Sequence, residues 1–255
     1  TDTAGYTLHA SDTPLMSWEG VLGLGMSAAC KENAQRAQRW ATSDEWWGPE
    51  AATHRPPDRI PLSRFQEDHV RQMESVGKMR AVTAEEVRGW VSGHVTPQHH
   101  KKRWRPVFEL AANRSVDHTN DVALHYPSRL ERRRMLRGVQ YMASYDFKAY
   151  FDQFLLPLEL QRRCVVRVLV GGVPRLFALT RLPMGATFAP GVAQAVTWAI
   201  VEPLLDIAGI TVTTMLDNVR VTATSREGFL RACGLFRARC ATAHVTLGPA
   251  DDDGL

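Results

Sequence analysis

The chain has 255 residues, a formal net charge of +4 and an apolar residue fraction of 44%. These values are ordinary for a folded protein, and they exclude a disordered or collagen-like chain. Because no run of about 18 apolar residues occurs, we expect no membrane-spanning helix and no membrane partner. The length allows one large domain or two small ones.

The cysteines give no sign of a metal site or of a disulfide framework. They are Cys30, Cys164, Cys233 and Cys240, and no pair of them has a zinc-ligand spacing. They predict reduced structural thiols in an intracellular protein, nuclear or cytoplasmic. The sequence begins at Thr1 without a signal peptide, which predicts an excerpt of a longer protein.

The basic residues are unevenly distributed. Between His99 and Arg137 the sequence has ten Lys and Arg residues against four Asp and Glu residues, so the rest of the chain is slightly negative. A positive stretch of this kind predicts a surface for a polyanion, and the alternative is a solvated charged face.

Residues 1–62 are predicted to form a weakly defined N-terminal extension. Its tryptophans, dispersed among small residues, are Trp18, Trp40, Trp46 and Trp47. One helix fits between Trp18 and Trp40. A protein-interaction module is one function class to consider for this tryptophan-rich start, although the sequence indicates no partner for it.

Residues 63–138 alternate between helical and extended patterns. The predicted elements are a helix over Ser63–Gly77, a short helix from Thr83 through Trp90, two strands over Val91–Leu110 and a basic helix over Pro127–Arg137. A terminal glycine ends the first helix, and an N-cap threonine opens the second. In the basic helix, we expect Leu130 and Leu136 to face inward.

From Gln140 onward the pattern is β–α–β–β–α–β–β–α–β. The predicted elements include a hairpin over Cys164–Thr180, a tight loop over Leu182–Ala186, a helix from Val192 to about Leu205, a hairpin over Ile210–Thr224, a helix over Arg226–Ala243 and a strand over His244–Leu247. The core stripe of the last helix is Phe229, Cys233, Phe236 and Cys240. This order predicts an α+β fold, with an antiparallel sheet and helices on one face.

Two acidic residues stand at the ends of predicted strands. Asp146 follows an apolar approach from Val139 to Tyr145, and Asp217 lies at the tip of a hairpin. Taken singly, such an acid is more often a helix cap or a turn residue. In an antiparallel sheet, however, the two can be neighbours although 71 residues separate them. A pair of carboxylates placed in this way suits metal-dependent phosphoryl transfer.

Four stretches resemble, in order and spacing, the motifs of one enzyme family. They are Lys101–Asn113, Asp146 with its flanks, the Leu182–Gly185 loop and the Leu216–Asn218 hairpin. The first resembles the fingers motif of reverse transcriptases, and the other three resemble successive palm motifs of that family. Val192–Trp198 and Asp217–Arg220 look most like the reverse transcriptases of tyrosine-recombinase retroelements of the DIRS and VIPER kind.

The resemblance covers about Ser63 to Leu247 and implies the fingers and palm of a right-hand polymerase. It places the fingers at residues 63–138 and the palm at residues 139–255, with the thumb and RNase H absent from this stretch. The implied activity is that of an RNA-directed DNA polymerase, a nucleotidyltransferase. Its partners would be an RNA template, a DNA primer and deoxynucleoside triphosphates.

The implied chemistry uses divalent cations, Mg²⁺ or Mn²⁺, to neutralise charge on the nucleotide and to orient the attacking 3′-hydroxyl. Asp146, Asp217 and the backbone carbonyl of Phe147 would hold the cations, and Asn218 would be an auxiliary catalytic residue. Magnesium prefers hard oxygen ligands and keeps several waters, so few carboxylates suffice.

The resemblance also implies contacts to the incoming nucleotide. Lys102, Arg103 and Arg105 would bind the triphosphate, since a guanidinium contacts phosphate oxygens bidentately. Phe151, five residues after Asp146, would be the steric gate that rejects a ribose 2′-hydroxyl, and the alternative is a core phenylalanine.

The loop before the apolar helix would take part as well. Met184 and Gly185 would lie against nucleotide or template, with Gly185 permitting a close backbone approach. Asn113 either anchors the fingers loop or is a turn residue. The arginines predicted to bind nucleic acid are Arg129, Arg132, Arg133 and Arg137.

Two positions depart from the family pattern. Asn218 stands where a second Asp is usual, which removes a negative charge near the cations and predicts weak metal binding with a preference for Mn²⁺. Met184 stands where many relatives have Gln, which removes a polar contact to the nucleotide.

Two alternatives share the palm. An RNA-dependent RNA polymerase is disfavoured by Phe151, because such enzymes usually have a small or acidic polar residue at that place. A catalytically degenerate palm that binds RNA as a scaffold is favoured by Asn218. Primer extension with an Asp217→Ala control separates the scaffold from the polymerase.

Overall fold

The computed structural model describes residues 2–8, 12–48, 60–124 and 126–249. The chain forms two compact units, each assembled from three separated segments. The first unit comprises Thr1–Thr13, Trp40–Asn120 and Phe154–Ala189, and the second comprises Pro14–Arg39, Asp121–Gln153 and Pro190–Leu255. The boundaries predicted at residues 62 and 138, between an N-terminal extension, fingers and palm, differ from this division and stay a prediction.

Both units combine helices with short strands. The strands of the described residues are β1 (Thr7–Leu8), β2 (Met79–Ala81), β3 (Val91–Gln98), β4 (Arg103–Leu110), β5 (Tyr141–Asp146), β6 (Val165–Val170), β7 (Val173–Leu179), β8 (Ile210–Met215) and β9 (Asn218–Ala223). The helices are α1 (Trp18–Leu22), α2 (Ala28–Thr42), α3 (Glu67–Ser75), α4 (Arg129–Met135), α5 (Leu158–Arg162), α6 (Ala189–Val201) and α7 (Arg226–Thr242). Across these residues, none of the helices has the length and apolar character needed to cross a bilayer. The predicted α+β class is confirmed.

The described residues of the first unit form two three-stranded sheets, ordered β1-β4-β3 and β2-β7-β6. β3 and β4 pair antiparallel along their whole length, which confirms the two strands predicted over Val91–Leu110. β6 and β7 form the predicted hairpin. Its turn consists of Gly171 and Gly172 with φ of 59° and 76°, the backbone conformation that a two-residue hairpin turn favours.

An aromatic cluster fills part of the first unit. Trp40 stacks on Phe188 with ring centroids 4.7 Å apart, and Trp47 lies 4.9 Å from the same ring. Both tryptophans are fully buried, and the indole N–H of Trp47 donates to the carbonyl oxygen of Trp40 at 2.9 Å. These two tryptophans are therefore core residues, which counts against an interaction module built on them.

The two helices predicted early in the first unit are shorter in the structure. α3 begins four residues late because the backbone N–H of Ser63 donates to the carbonyl of Arg167 and its hydroxyl accepts from the N–H of Gly93. Gly77 follows the end of α3 with φ of 73°, as the predicted terminal glycine requires. The second predicted helix is only a 3₁₀ turn over Ala84–Glu86.

The second unit contains the sheet β5-β9-β8, which is antiparallel throughout. Side chains of each strand alternate between its two faces. One face packs against α7, where the rings of Tyr145 and Phe236 lie 4.6 Å apart. The other face exposes Met142, Ser144 and Asp146 of β5. For this sheet, α7 therefore lies on one face and leaves the other face open.

The predicted core stripe of α7 is confirmed. All of its members are buried, namely Phe229, Cys233, Phe236 and Cys240. α6 ends at Val201, and a 3₁₀ turn continues the chain to Asp206, so the predicted helix to about Leu205 is part α-helix and part 3₁₀ turn.

Two predictions in the second unit were wrong in detail. The stretch between Trp18 and Trp40 holds two helices, α1 and α2, because the chain leaves the helical path after Gly23. The strand predicted over His244–Leu247 is reduced to an isolated bridge between Leu247 and Phe147.

α4 has no buried face. Leu130 and Leu136, predicted to face inward, are 56% and 49% exposed. That prediction was wrong. None of the seven residues of α4 is buried, and Leu136, directly after the helix, is exposed as well. A local capping box begins the helix instead: the N–H of Glu131 donates to the hydroxyl of Ser128, and its carboxylate accepts from the N–H of Ser128.

The buried face of α7 gives a stability prediction. Phe236 is fully buried and contacts the rings of Tyr145 and Phe147. We expect Phe236→Ala to lower the free energy of unfolding by about 3–5 kcal/mol, because it removes a buried ring and leaves a cavity in the core. Leu230→Ala, at a side chain 52% exposed on the same helix, should lower it by less than about 1 kcal/mol. Urea denaturation measures both, and equal losses would contradict the assigned faces.

Candidate functional site

The two predicted metal-binding acids lie at the same end of one sheet. Asp146 is the last residue of β5 and pairs directly with Asn218, the first residue of β9. The next backbone N–H, that of Phe147, donates to the carbonyl oxygen of Asp217 at 2.9 Å. The pairing of β5 with β9 thus brings together residues that are 71 positions apart.

Asn218 belongs to the same group. Its side-chain amide donates to a carboxylate oxygen of Asp217 at 3.3 Å. Because directly opposite residues of an antiparallel pair share a face, the side chains of Asn218 and Asp146 lie on the same, open face of the sheet. Both are exposed, whereas Asp217 is half-buried. The structure therefore brings together all three predicted catalytic residues.

Phe147 contributes to this site only through its backbone. Its side chain is 1% exposed and packs against the rings of Tyr150 and Phe236. The predicted role for its backbone carbonyl is compatible with this burial. A buried ring directly after Asp146 also anchors the end of β5 in the core.

A buried amide holds the loop that follows Asp146. The Gln153 side chain is fully buried, and its NH₂ donates to the carbonyl oxygens of Lys148 at 2.8 Å and Thr246 at 2.9 Å. Its own carbonyl accepts from the N–H of Thr246 at 2.9 Å. The N–H of Gly248 in turn donates to the carbonyl of Asp146. The segment after α7 is therefore tied to the strand end that carries the acid.

Side chains of α6 hold Leu216, the residue before Asp217. The N–H of Leu216 donates to the side-chain carbonyl of Gln194 at 2.9 Å, and the Leu216 carbonyl accepts from the hydroxyl of Thr197 at 2.8 Å. Sequence reasoning missed Gln194, Thr197 and Gln153. The available signal was two polar residues three positions apart in an otherwise apolar helix, which places them on one face.

The predicted steric gate lies on a 3₁₀ turn. Phe151 belongs to the turn Tyr150–Gln153, which Ala149 introduces with a positive φ of 44°. Its side chain is half-buried, so it is not one of the fully buried core phenylalanines such as Phe154. The gate role stays a prediction.

The predicted nucleotide-binding residues of the first unit gather around the β3–β4 hairpin. Lys102 occupies the hairpin turn with a φ of 47° and is exposed. Arg103 donates to the side chain of Gln98 at 2.6 Å, which ties it to its own hairpin. The exposed Arg105 contacts the sulfur of Met184. Lys102 and Arg105 therefore present charge to solvent, and Arg103 is partly engaged.

Asn113 lies in a 3₁₀ turn and also makes side-chain hydrogen bonds to the loop that contains Gly185, so both readings of it have support. Its amide donates to the carbonyl of Gly185 at 2.9 Å, and its side-chain oxygen accepts from the N–H of Thr187 at 3.0 Å. Gly185 also has a packing role, since a Cβ there would lie 1.6 Å from the carbonyl oxygen of Phe108. The loop and β4 therefore approach each other at a distance that only glycine permits.

The arginines predicted to bind nucleic acid lie on or beside α4. All are exposed, and they are Arg129, Arg132, Arg133 and Arg137. Their charges are available to a polyanion, which supports the predicted basic surface without identifying its partner.

The donor set near β5 and β9 fits a hard divalent cation. Among the described residues, no three His, Cys, Asp or Glu side chains group as metal ligands. Asp146 and Asp217 supply two carboxylates, and Asn218 adds an amide oxygen, which matches the oxygen ligands of Mg²⁺ or Mn²⁺. A separate cavity of about 470 Å³ in the first unit, lined by residues such as Arg167, Arg175 and Phe177, contains none of the predicted site residues.

Comparison with known proteins adds no assignment. Neither a search of protein-family models nor a search of curated proteins gives a match to this chain. The functional interpretation therefore rests on the residues of the site and on their geometry.

The close approach at Gly185 gives a stability prediction. Gly185→Ala should lower the free energy of unfolding by about 3 kcal/mol, because the backbone carbonyl of Phe108 cannot move aside cheaply. The control is Gly234→Ala on α7, where a Cβ meets nothing within 4 Å, and which should gain up to about 1 kcal/mol from helix propensity. Thermal and urea unfolding of both variants measure this, and a neutral Gly185→Ala would contradict the packing described.

The buried Gln153 amide gives a second stability prediction for this site. Gln153→Met keeps the side-chain volume but removes three hydrogen bonds, so we expect a loss of about 2–4 kcal/mol in unfolding free energy. Gln140→Met, at an exposed position just before β5, is the matched control and should change it by less than about 0.5 kcal/mol. If the two variants unfold at the same urea concentration, Gln153 does not hold the loop.

Proposed function

We propose that this chain is the fingers and palm of an RNA-directed DNA polymerase, a nucleotidyltransferase of a retroelement. The observation that carries the proposal is the meeting of Asp146 and Asp217, from distant segments, at one end of an antiparallel sheet. The order of the surrounding motifs supports the same family, including the subgroup of tyrosine-recombinase retroelements. Its partners would be an RNA template, a DNA primer and deoxynucleoside triphosphates.

In this proposal the catalytic centre is the end of the β5-β9-β8 sheet where Asp146, Asp217 and Asn218 lie. Bound Mg²⁺ or Mn²⁺ would neutralise phosphate charge and lower the pKa of the attacking hydroxyl. Asp146 and Asp217 would hold cations through their carboxylates, of which that of Asp146 is on an exposed residue and that of Asp217 is on a half-buried one. Asn218 gives an oxygen but no charge, so the site carries one negative charge fewer than a site with three carboxylates.

The remaining residues bind and select the nucleotide. Lys102, Arg103 and Arg105 contact the triphosphate, and Phe151 packs where a ribose 2′-hydroxyl would otherwise lie. Met184 and Gly185 lie against nucleotide or template. The arginines that bind the nucleic-acid backbone are Arg129, Arg132, Arg133 and Arg137.

A second candidate function is an RNA-binding scaffold without catalysis. Two observations favour it: the amide at position 218, and the exposure of the arginines on and beside α4. This scaffold would bind RNA in a salt-dependent way, since phosphate contacts release counterions. It would need neither metal nor nucleotide.

Primer extension on an RNA template decides between the two. We expect the intact chain to extend a DNA primer with Mn²⁺, and Asp217→Ala to lower the rate at least about a thousandfold, because a metal ligand is lost. Asp206→Ala, at an exposed acid of the same unit, should extend as wild type does. RNA binding without extension in any form would favour the scaffold.

Position 151 tests the choice of sugar. Phe151→Val removes the aromatic ring, so we expect the incorporation of ribonucleotides relative to deoxynucleotides to rise at least about tenfold. A change of this size is what the loss of a packing contact gives. Single-nucleotide incorporation with matched ribo- and deoxynucleotides measures the ratio. A wild-type protein that uses both equally well would remove the gate assignment.

Position 218 tests the charge of the site. Asn218→Asp restores a carboxylate beside Asp217, so we expect the half-saturating concentrations of Mg²⁺ and Mn²⁺ to fall, with the larger change for Mg²⁺. Metal titrations of primer extension for both forms measure this. Equal Mg²⁺ and Mn²⁺ values in the wild type, unchanged by the substitution, would contradict the predicted metal preference.

A further inference from the structure

Leu216, the residue before Asp217, has an unusual backbone. Its φ is 55°, in the left-handed region that non-glycine residues rarely adopt. A leucine held there is strained, so neighbouring interactions must maintain its conformation. Left-handed residues maintained in this way concentrate at functional sites.

The side chains that bind the Leu216 backbone come from one helix. Both backbone polar groups of Leu216 bind side chains of α6: the N–H binds Gln194 and the carbonyl binds Thr197. Gln194 and Thr197 are fully buried within an apolar helix. Two side chains three positions apart on α6 therefore grip a single residue of the β8–β9 turn.

Each of these side chains is itself fixed. The NH₂ of Gln194 donates to the hydroxyl of Thr214 on β8 at 2.7 Å, so both ends of its amide are bound. The hydroxyl of Thr197 also lies 3.0 Å from the hydroxyl of Tyr150, which is fully buried and donates to the carbonyl of Ala193 at 3.1 Å. Burial raises the pKa of Tyr150 well above its ordinary value, so it stays a neutral donor. The side chains of Gln194 and Thr197 are therefore themselves held in place by hydrogen bonds.

We propose that Gln194 and Thr197 are positioning residues, which hold Leu216 in its left-handed conformation and so aim the Asp217 carboxylate at the cation. This inference rests on the proposed function, because it assigns a cation to Asp217. Both residues bind the backbone of Leu216, so their effect on Asp217 passes through that backbone. The residues that support a metal ligand commonly matter about 10–100-fold in metal affinity.

The test removes hydrogen bonds of Gln194 without changing the volume of the side chain. Gln194→Met deletes both hydrogen bonds of the amide. Its matched control is Gln161→Met in the first unit, another buried glutamine with both ends bound, to the carbonyl of Leu156 and to Arg80. Two measurements that need no catalysis are made on the whole chain: hydrogen exchange at the Leu216 amide, and Mn²⁺ binding followed by electron paramagnetic resonance.

We expect Gln194→Met to speed exchange at Leu216 and to weaken Mn²⁺ binding about tenfold or more, whereas Gln161→Met should leave both unchanged. Adding Leu216→Gly to Gln194→Met should recover part of the Mn²⁺ affinity, because glycine takes the left-handed conformation without strain. If Gln194→Met does not fold, Thr197→Val compared with Thr197→Ser gives the same test, since serine keeps the hydroxyl.

The outcomes separate the two proposals. Wild-type protein that binds Mn²⁺ through Asp217, with Gln194→Met binding within about twofold of it, would overturn the positioning role alone. Equal weakening by Gln194→Met and Gln161→Met would overturn it too, since the loss would then be general. Wild-type protein whose Mn²⁺ binding is unaffected by Asp217→Ala would overturn the metal site itself, and with it the proposed function.

Discussion

The backbone pairing of β5 with β9 is the interaction on which the site depends. It sets Asp146 opposite Asn218, and the N–H of Phe147 extends the same ladder to the carbonyl of Asp217. The register of a strand pair decides which face each side chain occupies, because a slip of one residue would turn every side chain of the strand to the other face. A slipped β9 would bury Asn218 and expose Val219. The same apolar residues that build the core therefore keep Asp146 and Asn218 on the exposed face.

Three kinds of support keep that register. The stripe of α7 covers the apolar face of the sheet, the Gln153 amide ties the end of β5 to the segment after α7, and α6 holds the β8–β9 turn. The last two use fully buried amides, and in each of them both the nitrogen and the oxygen are hydrogen-bonded, as burial requires. Polar groups in the core thus define positions that apolar packing alone leaves free.

Local patterns were sufficient to predict much of this. The Gly171-Gly172 turn, the paired strands over Val91–Leu110 and the α7 stripe follow from turn chemistry and periodicity, which act within a few residues. The proximity of Asp146 to the 216–218 turn was expected from the predicted strand order, because an antiparallel sheet can make the two acids neighbours. The partners of the buried amides could not be predicted, because Gln153 and Gln194 bind groups that are 93 and 22 residues away in the sequence. Leu130 and Leu136 were misassigned because apolar spacing on α4 does not reveal whether another element covers it.

The central claim is that Asp146 and Asp217 act on the same cations, and a double-mutant cycle of Mn²⁺ binding tests it most directly. Mn²⁺ dissociation constants are measured by electron paramagnetic resonance for the wild type, Asp146→Ala, Asp217→Ala and the double variant. If the two carboxylates share cations, either substitution alone removes most of the affinity, and the double variant loses little more. Independent, additive losses, or no loss from one of them, would contradict a common metal site.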